Sequence, residues 1–335
     1  METRKVQLAG NSTYTISLPK AWAEEQGIET GMELRLRPRD GRLVLETESA
    51  ADPPVPVVDV TDRSAAEVRE VVRGMYALGY DAFDLRTDGE LSPAVRRSVS
   101  ETATALAGLE VEADDGRTVR CRDLLDASAL SVSRVVPRLR FAALSAHRRA
   151  TDAFVEGYED RDGDANATDV VERVEGHRRD ASAEAALLER CFQRTLPEFA
   201  DPDGLGVSRA ELSDHLRVAG DLERVAAGAV DIARAADGDP LSPPAAESFA
   251  DRARRVRESI ELTTDATLSD GGIDEALDAR RRSRHVVEAV EALADADEAP
   301  PTRSWSLGVA ALRRTADCVA TIGAHALRSA LRREA

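Results

Sequence analysis

From residue 132 onward, apolar residues recur every three to four positions, which is the spacing of amphipathic helices. The clearest stretch is Asp221–Arg234, where one face is apolar and the other carries charges. That apolar face consists of Leu222, Val225, Ala226, Ala229, Ile232 and Ala233. The same spacing predicts six helices, at Val132–Tyr158, Val170–Leu196, 208–237, Ala245–Leu268, Ile273–Ala294 and Ser304–Arg333.

A second version of the clearest helix lies ninety positions further along, at Leu312–Gly323. Its apolar residues Leu312, Ala316, Val319 and Ile322 correspond to Leu222, Ala226, Ala229 and Ile232. A helix pattern that recurs later in the chain indicates that a helical unit has been duplicated. We therefore predict two antiparallel three-helix repeats, at residues 131–238 and 244–333.

The first 48 residues have the alternation of β-strands rather than helical periodicity. We predict strands at Lys5–Ala9, Tyr14–Leu18, 33–37 and 42–46, and a short helix at Lys20–Gln26. The last two strands are joined across an Asp-Gly turn signal at residues 40–41. So small a β unit is marginal by itself, and we expect it to close its core with a second copy.

Residues 55–125 follow a proline-rich boundary at 51–56 and alternate between strand and helix patterns. Ser64 and Glu67 form a predicted capping box, and Ser92-Pro93 predicts another helix start. A hairpin is expected around Asp115-Gly116. The predicted fold class is thus multidomain α+β: an N-terminal β unit (1–48), a small connecting α/β module (55–125) and a six-helix bundle.

The net charge is −17, and the only lysines are Lys5 and Lys20. Abundant carboxylates with so little lysine are typical of proteins that stay hydrated in concentrated salt, where their self-repulsion is screened. We therefore expect a halophilic protein, although an ordinary acidic protein has the same sign of charge. The sequence has no long uncharged apolar run and no signal-peptide pattern, so we expect a cytoplasmic protein without a membrane span.

Residues 1–46 are an exception to the acidic character, because seven basic residues balance seven acidic ones there. The motif from Gly10 through Ser12-Thr13 to Leu18-Pro19-Lys20 and Trp22, followed by a Gly31-Met-Glu-Leu stretch, resembles the AbrB/SpoVT/MraZ family. The resemblance covers about 45 residues. It implies a swapped-hairpin β-barrel shared by a homodimer, and it implies DNA binding.

The resemblance places the DNA-binding residues around the first two strands. They would be Arg4, Lys5, Asn11, Ser12, Thr13, Tyr14 and Lys20. Asn11 and Ser12 stand where many DNA-binding relatives have an arginine, so these contacts would be hydrogen bonds to phosphate rather than base readout by arginine. The alternative is that the unit only dimerises.

The helical region, with its DLERVAAGAVDIAR phrase, is similar to the PhoU family of phosphate-uptake regulators. In that family the third helix of each repeat carries E/D-x-x-x-D, a spacing that places two carboxylates on one face for a metal ion. Here Glu223 is followed by Ala227, and Asp317 is preceded by Arg313. We therefore expect no metal or other cofactor, and an Arg313–Asp317 ion pair, while a shared metal site at the repeat interface remains an alternative.

No catalytic motif occurs, and we predict that the protein is not an enzyme. Cys121, Cys191 and Cys318 are too far apart for a metal cluster and are expected to be core residues. The five histidines are His147, His177, His215, His285 and His325, all expected at the surface or the core boundary.

Two functions are compatible with these features. The first is a homodimeric DNA-binding transcriptional regulator of phosphate uptake and homeostasis. The second is a PhoU-type adaptor that does not bind DNA, docks on the ATPase of a phosphate ABC transporter or on a sensor protein, and uses its N-terminal unit only to dimerise.

Overall fold

The computed structural model describes residues 3–10, 13–39, 42–47, 55–125, 132–157, 167–196, 207–238, 241–269, 271–294 and 302–334. The chain divides into two compact units, Met1–Val55 and Pro56–Ala335. The first is a small β-rich unit, and the second joins an α/β module to a helical body. The described residues are thus α+β with a mostly helical C-terminal body.

The N-terminal unit contains two hairpins and one short helix. Its elements are β1 (Gln7–Ala9), β2 (Thr13–Thr15), α1 (Lys20–Glu25), β3 (Leu34–Arg39) and β4 (Arg42–Thr47). β1 pairs with β2, and β3 with β4, both antiparallel. Within the described part of this single chain the hairpins are separate two-stranded sheets, so the expected closed barrel does not form in one chain.

The α/β module is a four-stranded sheet with two helices. Its elements are β5 (Val57–Asp59), α2 (Ala65–Ala77), β6 (Ala82–Arg86), α3 (Pro93–Ala105), β7 (Leu109–Asp114) and β8 (Thr118–Asp123). The strand order is β5-β6-β8-β7, with β5 and β6 parallel and the other pairs antiparallel. The predicted capping box is confirmed, since the Glu67 amide donates to the Ser64 hydroxyl and the Ser64 amide donates to the Glu67 carboxylate.

The helical body confirms the six long helices predicted from the apolar spacing. They are α4 (Val132–Glu156), α5 (Ala167–Gln193), α6 (Arg209–Ala235), α7 (Pro243–Leu268), α8 (Ile273–Glu291) and α9 (Arg303–Glu334). α4, α5 and α6 pack against one another, as do α7, α8 and α9. The two triplets meet chiefly through α6 against α9 and α4 against α7.

Small side chains let α6 and α9 approach closely. A methyl group placed on Gly228 would lie 3.0 Å from the Thr315 hydroxyl. The apolar residues that correspond between the two helices, such as Leu222 and Leu312, are fully buried. The few aromatic residues contribute elsewhere between the triplets, where the Phe249 ring lies 4.5 Å from the Phe154 ring and 5.9 Å from the Trp305 ring.

Polar pairs run along the antiparallel contact between α6 and α9. Asp214 pairs with Arg332 at one end, and Asp231 pairs with Arg314 at 2.6 Å towards the other. Between them, the Nε2 atom of His325 lies 3.5 Å from an oxygen of Asp221. Each pair joins one helix of the first triplet to one helix of the second.

The α/β module is fastened to the helical body by a buried arginine. Arg190 of α5 donates to the carbonyl oxygens of Tyr76 and Tyr80, at 2.9 and 3.0 Å, and pairs with Asp123 at the end of β8. Its guanidinium also lies over the Tyr76 ring, 4.9 Å from the centroid. One side chain thus caps the carboxyl end of α2 and neutralises the aspartate, so the module and the body form one unit.

The cysteines are all buried, as predicted, but the expected position of the histidines is wrong for three of the five. His147, His215 and His325 lie in the interior, while His285 is exposed. Their helical positions fall on inward faces between packed helices, which spacing along one helix did not reveal. No described helix combines the length and apolarity that a membrane span requires.

Candidate functional site

The first hairpin of the N-terminal unit presents an uncovered apolar face. Leu8 of β1 lies directly opposite Tyr14 of β2, so both side chains project from the same side. They are 61 and 76% exposed, and Val6 and Ile16 beside them are 62 and 55% exposed. Four large apolar side chains at one small hairpin form a surface that single soluble domains rarely leave in water.

The second hairpin repeats this arrangement. Leu36 of β3 lies opposite Leu45 of β4, and Leu36 is 58% exposed. Because neighbouring strand residues project to opposite faces, Arg35 lies on the other side of the sheet from Leu36. Each hairpin therefore separates an apolar face from a polar one.

The predicted DNA-binding residues lie around the first hairpin. Arg4 and Lys5 are exposed and precede β1, while Thr13 and Tyr14 are exposed at the start of β2. Asn11 and Ser12 lie outside the described residues. Gly10, directly before them, has a φ of 70°, a left-handed conformation that glycine adopts without strain.

Lys20 opens α1 and is 89% exposed, with its ammonium group 3.6 Å from a Glu24 carboxylate oxygen. Such an exposed pair is worth little, so Lys20 can exchange this partner for a phosphate at small cost. The hairpin and the start of α1 thus carry exposed cationic and hydroxyl groups, the types of group with which DNA-binding proteins contact phosphate.

The remnants of the carboxylate motifs are separated in the structure. The Glu223 carboxylate accepts a hydrogen bond of 2.6 Å from the Ser182 hydroxyl of α5. Asp317 lines a groove of about 370 Å³ between α6 and α9, and Glu223 is not among the lining residues. Within the described part of the chain, no cluster of three or more His, Cys, Asp or Glu residues has the geometry of a metal site.

The expected Arg313–Asp317 ion pair is wrong. Arg313 instead pairs with Glu291 of α8 at 2.6 Å. An arginine side chain is long enough to reach the neighbouring helix, and this contact replaces the local one.

Asp221 is a residue of this groove that sequence reasoning missed. Its side chain is 1% exposed and pairs with Arg224, and its Oδ2 atom has no hydrogen-bond partner among the described residues. A signal was present, because Asp221 is one turn before Val225 on the apolar face of α6.

The buried thiols offer no reactive nucleophile. Burial raises the pKa of Cys121 to about 12 and the pKa values of Cys191 and Cys318 to about 11. Since the thiolate is the reactive form, these cysteines are inert core residues at neutral pH.

A family model for MazE antitoxins, described as antidote-toxin recognition MazE, bacterial antitoxin, matches residues 7–52. The matched segment begins at β1 and contains α1 and both hairpins. No curated protein and no solved structure gives a significant match to this chain. The chain of 335 residues therefore contains an N-terminal MazE/AbrB-like domain, which confirms that part of the resemblance.

Proposed function

We propose that this protein is a homodimeric, DNA-binding transcriptional regulator whose helical body receives the regulatory signal. The observation that carries the proposal is the MazE family match to residues 7–52, a segment that includes two hairpins with uncovered apolar faces. The proposal requires no metal, cofactor or catalytic residue.

Dimerisation follows from the apolar faces of these hairpins. Leu8 and Tyr14 on one hairpin, and Leu36 on the other, would be removed from water by the hairpins of a second chain. Burial at about 25 cal/mol per Å² makes such a pairing favourable. The two chains would then share a swapped-hairpin barrel.

DNA contact follows from the charge distribution. Lys5 and Lys20, the only lysines of the chain, both belong to this unit, and Arg4 adds a third cation. Asn11, Ser12 and Thr13 would donate hydrogen bonds to phosphate oxygens, whereas Tyr14, on the apolar face opposite Leu8, would be buried against the second chain. The rest of the chain carries nearly all of the net charge of −17 and repels a polyanion.

For the helical body we propose a role in sensing phosphate supply. This part of the proposal rests on the similarity of the α6 phrase to PhoU proteins, while the packing of α4–α6 and α7–α9 as two triplets supports only the duplicated architecture. The triplets meet at the repeated helix, which is the arrangement expected of a duplicated unit.

The experiment is a selection of DNA sites from a random duplex library with the full chain, followed by footprinting on phosphate-transport promoters. The selection is repeated from dilute to molar KCl, and the variant Arg4→Ala/Lys5→Ala is tested in parallel. We expect the wild type to enrich one sequence family and the variant to lose it. Failure of the wild type to enrich any sequence would reject the DNA-binding function.

The second candidate function is an adaptor that docks on a phosphate transporter ATPase or a sensor protein and uses the N-terminal unit only for dimerisation. Asn11 and Ser12 favour it, because the loop between β1 and β2 lacks the charged residue that many DNA-binding relatives use there. A dimer that selects no DNA, but is retained by the purified ATPase or sensor, would support the adaptor.

A further inference from the structure

A groove between α7 and α8 combines two arginines with a buried hydroxyl group. It has a volume of about 480 Å³, within the range of small-molecule sites. Arg255 and Ser259 reach it from α7, and Arg282 and His285 from α8. Leu262 and Val286 supply apolar contact surface, and Glu258 completes the lining.

The Ser259 hydroxyl has no hydrogen-bond partner among the described residues, although the residue is only 4% exposed. The next two hydroxyls along the same face of α7 are satisfied within the helix. Thr263 donates to the Ser259 carbonyl at 2.7 Å, and Thr267 donates to the Thr263 carbonyl at 2.8 Å. A buried polar group without a partner requires an explanation, and a ligand in the groove would provide one.

The two arginines are held in place through one edge of their guanidinium groups. The Nε atom of Arg255 lies 2.8 Å from a carboxylate oxygen of Asp251, one turn earlier on α7. The Nε atom of Arg282 has the same relationship, also at 2.8 Å, to Asp278 on α8. Neither arginine makes a hydrogen bond through its Nη atoms to another described residue, so these donors are available to a ligand.

The surroundings of the groove are positively charged on an acidic protein. Asp251 is shared by Arg252, Arg254 and Arg255, and Asp278 by Arg281 and Arg282. Glu258 is 3.8 Å from Arg254, and His285 is 3.3 Å from Glu288. Arginines thus outnumber the carboxylates that they contact, which favours an anion here although the whole chain carries −17.

We infer that this groove binds the phosphate group of a small molecule, either inorganic phosphate or a phosphate monoester. The Ser259 hydroxyl and the Nη atoms of Arg255 and Arg282 donate to the phosphate oxygens, a geometry in which the planar guanidinium forms paired hydrogen bonds. In a monoester, Leu262 and Val286 contact the organic part. This site rests on the phosphate-sensing role proposed for the helical body and would supply its ligand, while DNA binding by the N-terminal unit is tested separately.

The test is calorimetric titration of the full chain with inorganic phosphate and with adenosine monophosphate, at constant ionic strength. Arg281 and Arg282 form a matched pair, because both contact Asp278 and both side chains are 65% exposed, but only Arg282 lines this groove. We expect Arg282→Gln to weaken binding about tenfold or more, the usual effect of losing a hydrogen bond to a charged group. Arg281→Gln should leave the affinity within about twofold, because the lost charge does not contact the ligand and changes only the electrostatic potential around the groove.

The variant Ser259→Ala distinguishes an effect on ligand binding from an effect on the stability of the fold. Removing an unpartnered buried hydroxyl should preserve or raise the thermal midpoint of the unliganded protein, and the same change should reduce the midpoint shift caused by the ligand. Tighter binding of the monoester than of inorganic phosphate would identify an organic ligand, and the reverse would identify phosphate itself. The inference is overturned if neither probe binds saturably by millimolar concentrations, or if Arg281→Gln and Arg282→Gln have equal effects.

Discussion

Arg190 and Asp123 form an ion pair in which each side chain is only 2% exposed. They are 67 positions apart in sequence and join α5 of the helical body to the end of β8 in the α/β module. Taking two charges out of water is costly, and the carbonyl oxygens of Tyr76 and Tyr80 offset part of that cost by accepting hydrogen bonds from the arginine. The contact therefore depends on every partner being present.

Replacing either partner should destabilise the protein strongly. We expect Arg190→Ala or Asp123→Asn to lower the free energy of unfolding by about 3–5 kcal/mol, because each leaves a buried charge without its partner. Urea denaturation followed by circular dichroism measures the change. The control is Arg313→Ala, which removes an exposed arginine 2.6 Å from Glu291 and should cost about 1 kcal/mol or less. Equal losses for Arg190→Ala and Arg313→Ala would contradict the assigned role.

Replacing two glycines of the long helices by alanine should change the stability of the protein in opposite directions. At Gly308 of α9 a methyl group would overlap the Phe154 ring, so we expect Gly308→Ala to cost about 1–3 kcal/mol. At Gly220 of α6 nothing lies within 4 Å of the added methyl, and the better helix propensity of alanine should stabilise the protein by up to about 1 kcal/mol. Thermal unfolding of both variants tests the packing of α9 against α4, and stabilisation by Gly308→Ala would show that this packing is looser than described.

Buried His147 should make the protein sensitive to acid. Burial, with a smaller contribution from Arg257, lowers the pKa of His147 from 6.5 to about 3. Below pH 6.5 the unfolded chain takes up a proton at this histidine and the folded chain does not, so folding stability falls as the pH drops from 6.5 towards 3. The contribution is about 1.4 kcal/mol per pH unit in that window and vanishes above it.

The measurement is the free energy of unfolding against pH for the wild type and for His147→Gln. The difference in the free energy of unfolding between the wild type and His147→Gln should change with pH below 6.5 and be constant above it. His285→Gln, at an exposed position of α8, controls for the loss of a histidine as such. A His147→Gln difference curve that is flat throughout would show that the ring is accessible to protons in the folded state.

A charge on the apolar face of the first hairpin should dissociate the proposed dimer. We expect Leu8→Glu to yield a monomer in light scattering coupled to size-exclusion chromatography, because the carboxylate would be buried against a second chain. Gln7→Glu introduces the same charge at the neighbouring residue, which projects to the opposite face, and should leave the dimer intact. If Leu8→Glu remains dimeric, the subunits associate through another surface.

The salt dependence of DNA binding should show whether Lys5 contacts a DNA phosphate. If Lys5 contacts a phosphate, Lys5→Gln should reduce the slope of log affinity against log salt by about 0.9. Fluorescence anisotropy with a selected duplex gives this slope. Arg63→Gln, just before α2 and outside the N-terminal unit, is the control and should not alter it. Equal slopes for the wild type and Lys5→Gln would remove Lys5 from the interface.

Much of the fold was predictable because local rules determine it. Apolar spacing placed the six long helices to within a few residues at most ends, and Ser64 caps its helix as the capping-box pattern predicts. Gly79 and Gly108 adopt positive φ after α2 and α3, the conformation that glycine commonly supplies where a helix ends. All of these features depend on residues within a few positions of one another.

Features that depend on distant partners were not predictable. Arg190 resembles any surface arginine in the sequence, and only the packing of α5 against the module brings Asp123 to it. The same holds for Arg313, which pairs across to Glu291 rather than along its own helix. In the candidate DNA-binding unit, the family motif indicated the residues, but the proposed contacts with DNA and with a second chain depend on molecules other than this chain.

The polar pairs between α6 and α9 limit how these helices can change in length. Asp214–Arg332, Asp221–His325 and Asp231–Arg314 are spread along the contact, and Asp214 and Asp221 are each 1% exposed. An insertion or deletion between residues 214 and 231 would rotate part of α6 and separate some of these pairs from their partners on α9. We expect changes of length in related chains to fall in the connections between helices, and the register of α6 on α9 to be retained.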